Sequence, residues 1–452
     1  MRSFSRGRWS HKASQPMLER PRFSDYRLRH RFGGLVQPRT GLVTVPHAIA
    51  PKLREADLHA VSAPLGDLSF VKANIQKGRN RSGIGGDLDP EVAWIRAVVE
   101  AAERYACLIY DERDFTVESA AALGDAALDL DRVPVCSQAE LADPRCPLRR
   151  ASNSRPIRWV QGVSLVSGRP LMVPAIMVHL SIVPWEDELF WLQISTGAAA
   201  HTDPVAALVF AICECVERDA IALTWLGRLP LRRLQPGADA PVARTVERSR
   251  IEFRCFDATT DLGIPTVLSL QGLGSEEDVP ISMSCGTALL QAKAAEKARR
   301  EAGPMRGVLY RPNAYPDDIR DFTEVIHGAA YYADGHRPEA FDFLLAPDRE
   351  ELPPSPPAPA LAEAATPDAA LAALMAVFRG QDMEVVAVDL TTDELRDAGL
   401  WAVRTIIPDL VPLSFAYRAR YLGTPRLSRY LEGVTGVPFP ASAVNPDPIP
   451  FA

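Results

Sequence analysis

Two short stretches, EAAER at residues 100–104 and ECVER at 214–218, each set two glutamates three apart with an arginine beside the second. On a helix, residues three apart share a face, so Glu100 with Glu103 and Glu214 with Glu217 each bring two carboxylates to within ~5–6 Å at their Cβ atoms. In a poorly solvated pocket such a pair repels, which raises a carboxyl pKa unless something positive lies between the two. A divalent ion resolves the repulsion. Magnesium takes a few carboxylates together with water and phosphate oxygens. Arginines such as Arg104 and Arg218 can grip further phosphate oxygens through two parallel hydrogen bonds. The pattern therefore points to a metal-bound polyphosphate, with Glu100, Glu103, Glu214 and Glu217 as metal ligands. Taken singly, Glu100 with Arg104 and Glu214 with Arg218 are also ordinary i,i+4 helix pairs, worth ~0.2–0.5 kcal/mol each. Their repetition favours a shared site.

The elements that must position these side chains are repeated as well. Asp89-Pro90 and Asp203-Pro204 each read as an N-cap followed by proline in the first helical turn, where a missing N–H costs nothing. Glu100 and Glu214 both follow their capping aspartate by eleven residues. In DPEVAWIRAVVEAAERYACLIY, the polar residues beyond the first turn, Arg96, Glu100, Glu103 and Arg104, form one stripe on an otherwise apolar helix. Such a helix is expected to be buried, with its charged stripe facing a polar cavity. DPVAALVFAICECVERDAIALTW is more apolar still. A third segment, CGTALLQAKAAEKARREAG, sets Lys293, Glu296 and Arg300 on one face. It is polar all round, so a solvated helix is an equally open reading.

Composition bounds the rest. The 452 residues, 47% hydrophobic and 24% charged, describe a globular chain long enough for one large α/β unit or two lobes. A net charge of -7 gives no general reason to expect nucleic acid as a partner. No apolar run reaches the roughly 18 residues that span a bilayer, and no apolar stretch follows the basic start, so a cytoplasmic protein without a membrane partner is expected. Seven scattered cysteines with no CxxC pair argue against zinc and against a disulfide framework. Residues 1–31 carry nine Lys and Arg with little apolar periodicity and read as a basic flexible or partner-docking tail. From Phe32, short apolar runs such as GLVTV, WVQGVSLV and VVAVDL alternate with helical segments, a mixed α/β pattern. PPSPPAP at 353–359 reads as a proline-rich surface link, and Pro446, Pro448 and Pro450 stiffen the final segment, 441–452.

Cheaper motifs fail. There is no GxxxxGK[ST], and SGIGG at 82–86 is too short and irregular for a dinucleotide loop, although its N–H groups could face an anion. No ExxH pair follows the glutamates, which argues against a di-iron bundle. His179 and His201 are expected to be structural.

In sum these residues resemble the YcaO family of ATP-dependent enzymes that activate peptide backbones, and specifically its azoline-forming cyclodehydratases of the D-protein type. The likeness runs from about Phe32 to the C-terminus. It is carried by LVQPRTGLV, SGIGG with EAAERY, STGAAAHTDPVAALVFAICECVERDA, AKAAEKARR, DLTTDELRDAGLWAVRTIIPDLVPL and the terminal PDPIP. The resemblance implies the YcaO fold over 32–440: mixed sheets packed with long helices around a central nucleotide site. It implies ATP and magnesium as cofactors, with Glu100, Glu103, Glu214 and Glu217 on the metal. Ser82, Arg104, Arg218, Arg404 and Glu296 would lie at the nucleotide. It also implies that Pro446, Pro448, Pro450 and the terminal Ala452 reach the active site.

The implied reaction is cyclodehydration, in which a Cys, Ser or Thr side chain of a ribosomal precursor peptide attacks the preceding backbone carbonyl and the oxygen is phosphorylated by ATP. The implied partners are that peptide, a separate leader-binding protein of the E1-like or ocin-ThiF type, a second copy of the chain, and a flavin dehydrogenase of the same pathway. Departures from the family pattern are Ile84, Arg96, Thr196, Thr202, Ala206 and Arg299. Of these, Arg96, Ala206 and Arg299 motivate a non-catalytic peptide-binding scaffold as one alternative; thioamide or amidine formation on the same fold is another.

Overall fold

Strands and helices alternate as the sequence leads one to expect, in a computed structural model that describes residues 26–50, 58–68, 82–234, 251–272, 281–310, 314–335, 337–345 and 357–451. One sheet orders β1 (His47–Ile49), β2 (His59–Pro64) and β3 (Ser82–Asp87). A second runs β11-β10-β9-β8, with β8 at Arg232–Leu234, β9 at Phe253–Asp257, β10 at Thr266–Gln271 and β11 at Ser282–Thr287. The third runs β4-β5-β12-β13-β7, with β6 beside β5. Its strands are β4 (Thr116–Ser119), β5 (Pro156–Ser164), β6 (Pro170–Pro174), β7 (Ala198–His201), β12 (Val386–Asp389) and β13 (Trp401–Ile406). All pairings between these strands are antiparallel. GLVTV makes only single bridges at Val43, because Gly41 N–H turns back to Gln37 O and Pro46 follows.

Three long helices, α1 (Pro90–Leu108), α2 (Pro204–Leu226) and α3 (Gln291–Leu309), each follow one of these strands. The first two start as their sequences dictate: Asp89 Oδ1 accepts from Glu91 N at 2.8 Å, and Asp203 Oδ1 accepts from Val205 N at 2.8 Å and Ala206 N at 2.9 Å. The third begins at Leu290 with no side-chain cap and carries Pro304 inside it.

All three units share one packing register. A Cβ on Gly85 of β3 would lie 2.1 Å from Ala93 O and 2.5 Å from Ala97 N, so the strand rests directly on α1. Gly286 of β11 meets α3 in the same way, at 2.2 Å from Ala294 O and 2.8 Å from Ala298 N. In β7 the small residue is Ala199, clustered with Ala207 and Ala211 of α2. Each set of contacts falls eight and twelve residues after the small strand residue. Fifteen residues after it, on the face turned to the other units, stand Glu100, Glu214 and Glu301.

The remaining elements close the core around these units. Buried Ile95, Val98 and Tyr105 of α1 join Ile157, Trp159, Val386 and Leu400 in the largest cluster. The described cysteines are free, and Cys213 and Cys215 of α2 are buried. Residues 1–25 of the expected basic tail lie outside the described residues; the segment continues as a helix at Tyr26–Gly33 with Phe32 buried. Of the proline-rich link, 353–356 lie outside the described residues and Pro359 opens a short helix, Pro359–Ala362. No described helix is long and apolar enough to cross a membrane.

Candidate functional site

The repeated register sets the charged stripes of α1 and α2 around Arg404 of β13. Glu100 Oε2 accepts from Ile84 N at 3.1 Å and its Oε1 from Arg104 at 3.0 Å. In the second unit, Glu214 Oε2 accepts from Gly197 N at 2.9 Å and its Oε1 from Arg218 at 3.1 Å. The two units thus solve the same problem alike: a backbone N–H, from β3 in one and from the turn before β7 in the other, and an arginine hold the first carboxylate of each ExxER. The second carboxylates also face their own arginines, Glu103 at 3.3 Å from Arg104 and Glu217 at 3.2 Å from Arg218.

The four carboxyls are electrostatically unequal. Burial pushes Glu103 up to about 8; Arg104 opposes this, while Glu100 and Glu214 add to it. Burial also raises Glu100 and Glu217, against the pull of Arg104 on the one and of Lys297 and Arg218 on the other. Glu214 goes the other way. Burial works against its charge, but Arg218, Arg104 and Lys297, with the Gly197 N–H, hold it below the usual carboxylate range. Both helices pack against β7 and β13, and the charge of Glu214 acts on Glu103 as that of Arg104 does on Glu214, in keeping with two stripes that face one another.

Arg404 is 1% exposed and pairs in register with Ala198 of β7. It donates to Met177 O at 3.2 Å and Ile194 O at 2.5 Å, two backbone carbonyls, and so remains available to an anion. Burial lowers its pKa. Arg404 Nη1, Arg104 Nη1, Arg218 Nη1, Glu217 Oε1 and Thr196 Oγ1 are buried and make no hydrogen bond among the described residues. Unsatisfied buried polar atoms of this kind are costly. Arg104 Nη1 and Arg218 Nη1 still face Glu103 and Glu217 as ion pairs, whereas Arg404 Nη1 makes no hydrogen bond among the described residues; a phosphate group carrying a cation would complement this mix of guanidinium and carboxylate, so the residues present fit magnesium and a nucleotide. Among the described residues no three His, Cys, Asp or Glu side chains are already disposed as a metal cluster. Each carboxylate faces an arginine or lysine instead.

The third helix contributes different residues from those its stripe singles out. Glu296 pairs with Lys293 at 3.3 Å on its own helix. The residues that join the group are Lys297, whose Nζ lies 2.7 Å from Glu217 Oε2, and Glu301, 3.8 Å from the same ammonium. Burial works against the Lys297 charge, yet Glu217 and Glu301 hold it above its ordinary range. The signal that finds Glu301 is the Gly286 register, not charge periodicity. Ser82 opens β3 opposite Pro64, and no contact to the carboxylates is described for it. His179 stacks with Tyr110, and His201 accepts from Asp203 N; both serve structure.

The proline-rich end docks against α2 and runs antiparallel to it. Asn445 N donates to Leu226 O at 2.9 Å, and Trp225 Nε1 donates to Asp447 O at 3.1 Å. Alternating prolines lack N–H groups but keep their carbonyls as acceptors. Tyr417 Oη donates to Pro446 O at 2.5 Å, and Tyr332 Oη to Pro448 O at 2.8 Å. The row ends with the Phe451 ring 4.6 Å from the Arg218 guanidinium, a cation–π contact at the pocket itself. Pro450 lies between these anchors; Ala452 lies outside the described residues. A Cβ on Gly328 would stand 1.9 Å from Ile449 O. Gly328→Ala is therefore expected to lift Ile449 and Phe451 away, and the last residues should be removed by carboxypeptidase several times faster than from the wild type. Equal digestion rates would mean that the tail does not depend on this contact.

Comparison with known proteins is consistent with this geometry. The profile of the YcaO cyclodehydratases, described as ATP- and Mg2+-binding, matches residues 84–411. An uncharacterised protein from the tfuA 3' region of Rhizobium leguminosarum bv. trifolii is 34% identical over 215 residues, 45% of this chain and 48% of that protein. A heterocyclase solved in complex with substrate and cofactor superposes with a TM-score of 0.78 at 19% identity, over 94% of this chain and 57% of its own. The E. coli microcin synthetase McbBCD complex with pro-MccB17 bound gives a TM-score of 0.59 at 14% identity, over 92% of this chain and 99% of that chain. The present chain spans about half the length of the curated relative it matches.

Proposed function

Because this chain belongs to the YcaO cyclodehydratase family, whose members bind ATP and Mg2+, we propose that it converts Cys, Ser or Thr residues of a ribosomal precursor peptide to azolines. The observation that carries the reading is that Glu100 and Glu214, on two helices that both pack on β7 and β13, are held alike by a backbone N–H and by the arginine four residues on. Glu100, Glu103 and Glu214 would hold the cation. Arg404, whose Nη1 makes no hydrogen bond among the described residues, would meet the phosphates together with Arg104 and Arg218, which keep their pairing with Glu103 and Glu217. Magnesium and ATP supply the leaving group, by converting a poorly expelled oxide to phosphate.

In the reaction, the side-chain sulfur or oxygen of the peptide bonds to the preceding carbonyl carbon. The thiol or hydroxyl proton is lost as that bond forms, the carbonyl oxygen would take the terminal phosphoryl group of ATP with ADP leaving and then depart as phosphate, and loss of the amide proton closes the ring with a C=N bond. The terminal tail, pinned by Tyr332, Tyr417 and Trp225, forms a wall of the pocket and excludes water from it. Pro446, Pro448, Pro450 and the terminal Ala452 are assigned to that wall. The peptide is presented by a separate leader-binding protein, and the microcin synthetase complex offers a precedent for an assembly of this kind.

Mass spectrometry of a precursor peptide co-produced with this chain and its partner tests the assignment. Each ring lowers the peptide mass by one water. A gain equal to the difference between sulfur and oxygen would instead mean thioamide formation. An unmodified peptide, with no nucleotide bound, would make the chain a peptide-binding scaffold.

A further inference from the structure

The third strand–helix unit departs from the other two at three register positions. Where α1 and α2 carry Glu103 and Glu217, α3 carries Pro304, and where they carry Arg104 and Arg218, it carries Met305. The Pro304 ring packs against Gly86 instead of presenting a charge. One turn before Glu301 the unit adds Lys297, at the position held by Arg96 in α1 and Phe210 in α2. Arg96 pairs with Asp87 of its own unit, and Phe210 packs near His201. Lys297 reaches across to a carboxylate of a neighbouring unit, 2.7 Å from Glu217 Oε2.

Glu217 is 0% exposed, and Oε2 also accepts from Thr287 N at 2.9 Å. Its other oxygen faces Arg218 at 3.2 Å. A carboxylate closed off from solvent and flanked by two cations has no charge left for a divalent ion to neutralise, and an ion approaching Oε2 would meet the ammonium first. We propose that Lys297 is a built-in cation that occupies the place of a divalent ion beside Glu217, so that Glu217 is a positioning residue and the nucleotide-bearing metal is held by the remaining carboxylates. The inference rests on the reading of the pocket as a magnesium–ATP site. It also gives a reason for the loss of the second glutamate from the third unit: with a fixed ammonium in place, a further carboxylate there has no ion to bind.

Mn2+ binding followed by electron paramagnetic resonance, with and without a non-hydrolysable ATP analogue, tests this on the intact chain. Lys297→Met exposes Glu217 and Glu301 to solvent cations and is expected to take up about one additional Mn2+ per chain without nucleotide. Lys297→Arg keeps the wild-type count, and Lys297→Met combined with Glu217→Gln loses the additional ion. Glu217→Gln alone, which does not depend on the folding of Lys297→Met, keeps a Mn2+–nucleotide affinity near that of the wild type, whereas Glu214→Gln does not. Wild-type Mn2+ counts in Lys297→Met, or a loss in Glu217→Gln as large as in Glu214→Gln, overturn the proposal. A wild-type chain that binds no Mn2+ with the nucleotide overturns the magnesium–ATP reading itself, and the proposal with it.

Discussion

Glu103→Gln is expected to lower the rate of ring formation at least about a hundredfold, the scale seen when one group that stabilises transition-state charge is removed. The same substitution should raise the stability of the metal-free protein. Folding moves the Glu103 carboxyl from an ordinary 4.5 to about 8, chiefly by burial. Between those values the folded chain binds more protons than the unfolded one, so stability falls as pH rises through the window, and the loss is complete above it. Glutamine matches the protonated acid in shape and cannot ionise. Thermal unfolding without metal should thus give equal melting temperatures below pH 4.5 and a higher one for the variant above pH 8. An active variant, or one that melts lower at high pH, would mean that the carboxylate is a structural partner of Arg104.

Arg426→Ala is expected to cost about 3–5 kcal/mol of folding stability, because it strands a buried carboxylate. Asp219 directly follows the site arginine Arg218 and is 0% exposed. Arg426 meets it through Nε at 2.8 Å and Nη2 at 2.6 Å and also reaches Asp261 at 2.9 Å. Val411 N completes the carboxylate at 2.9 Å. Burial works against the Arg426 charge, yet Asp219 beside it holds the guanidinium above its ordinary range. An arginine in the first turn of the helix Pro425–Thr435 gains nothing from the helix dipole, which leaves this pair as its reason to be there. Equilibrium urea unfolding measures the cost. A loss under about 1 kcal/mol, the range of surface ion pairs, would contradict the assignment.

How far the sequence carries this account is best judged at particular residues. The caps Asp89 and Asp203, the helices they open and the apolar circumference around each ExxER were all legible, because they follow from local capping chemistry and helical period. The pairing of Glu100 with Arg104 and of Glu214 with Arg218 was legible for the same reason. Local signals do not reach across units. Ile84 N and Gly197 N as partners of the two glutamates depend on how closely a strand with a small residue, Gly85 or Ala199, can lie on its helix. The third unit shows the limit most clearly: charge periodicity on a polar helix favours Glu296, whereas the close contact at Gly286 turns Lys297 and Glu301 inward. Phe451 against Arg218 was equally hidden, since only the row of aromatic donors from distant segments fixes where the prolines lie.

The central claim is that carboxylates from separate helices hold one nucleotide-bearing cation. Calorimetric titration of a magnesium-loaded, non-hydrolysable ATP analogue into wild type, Glu103→Gln, Glu214→Gln and the double variant tests it most directly. If both side chains serve one ion, each single substitution weakens binding at least about tenfold and the double loses little more, since groups in contact with a common partner are not additive. Independent losses that multiply in the double variant, or single variants that bind as the wild type does, would contradict it.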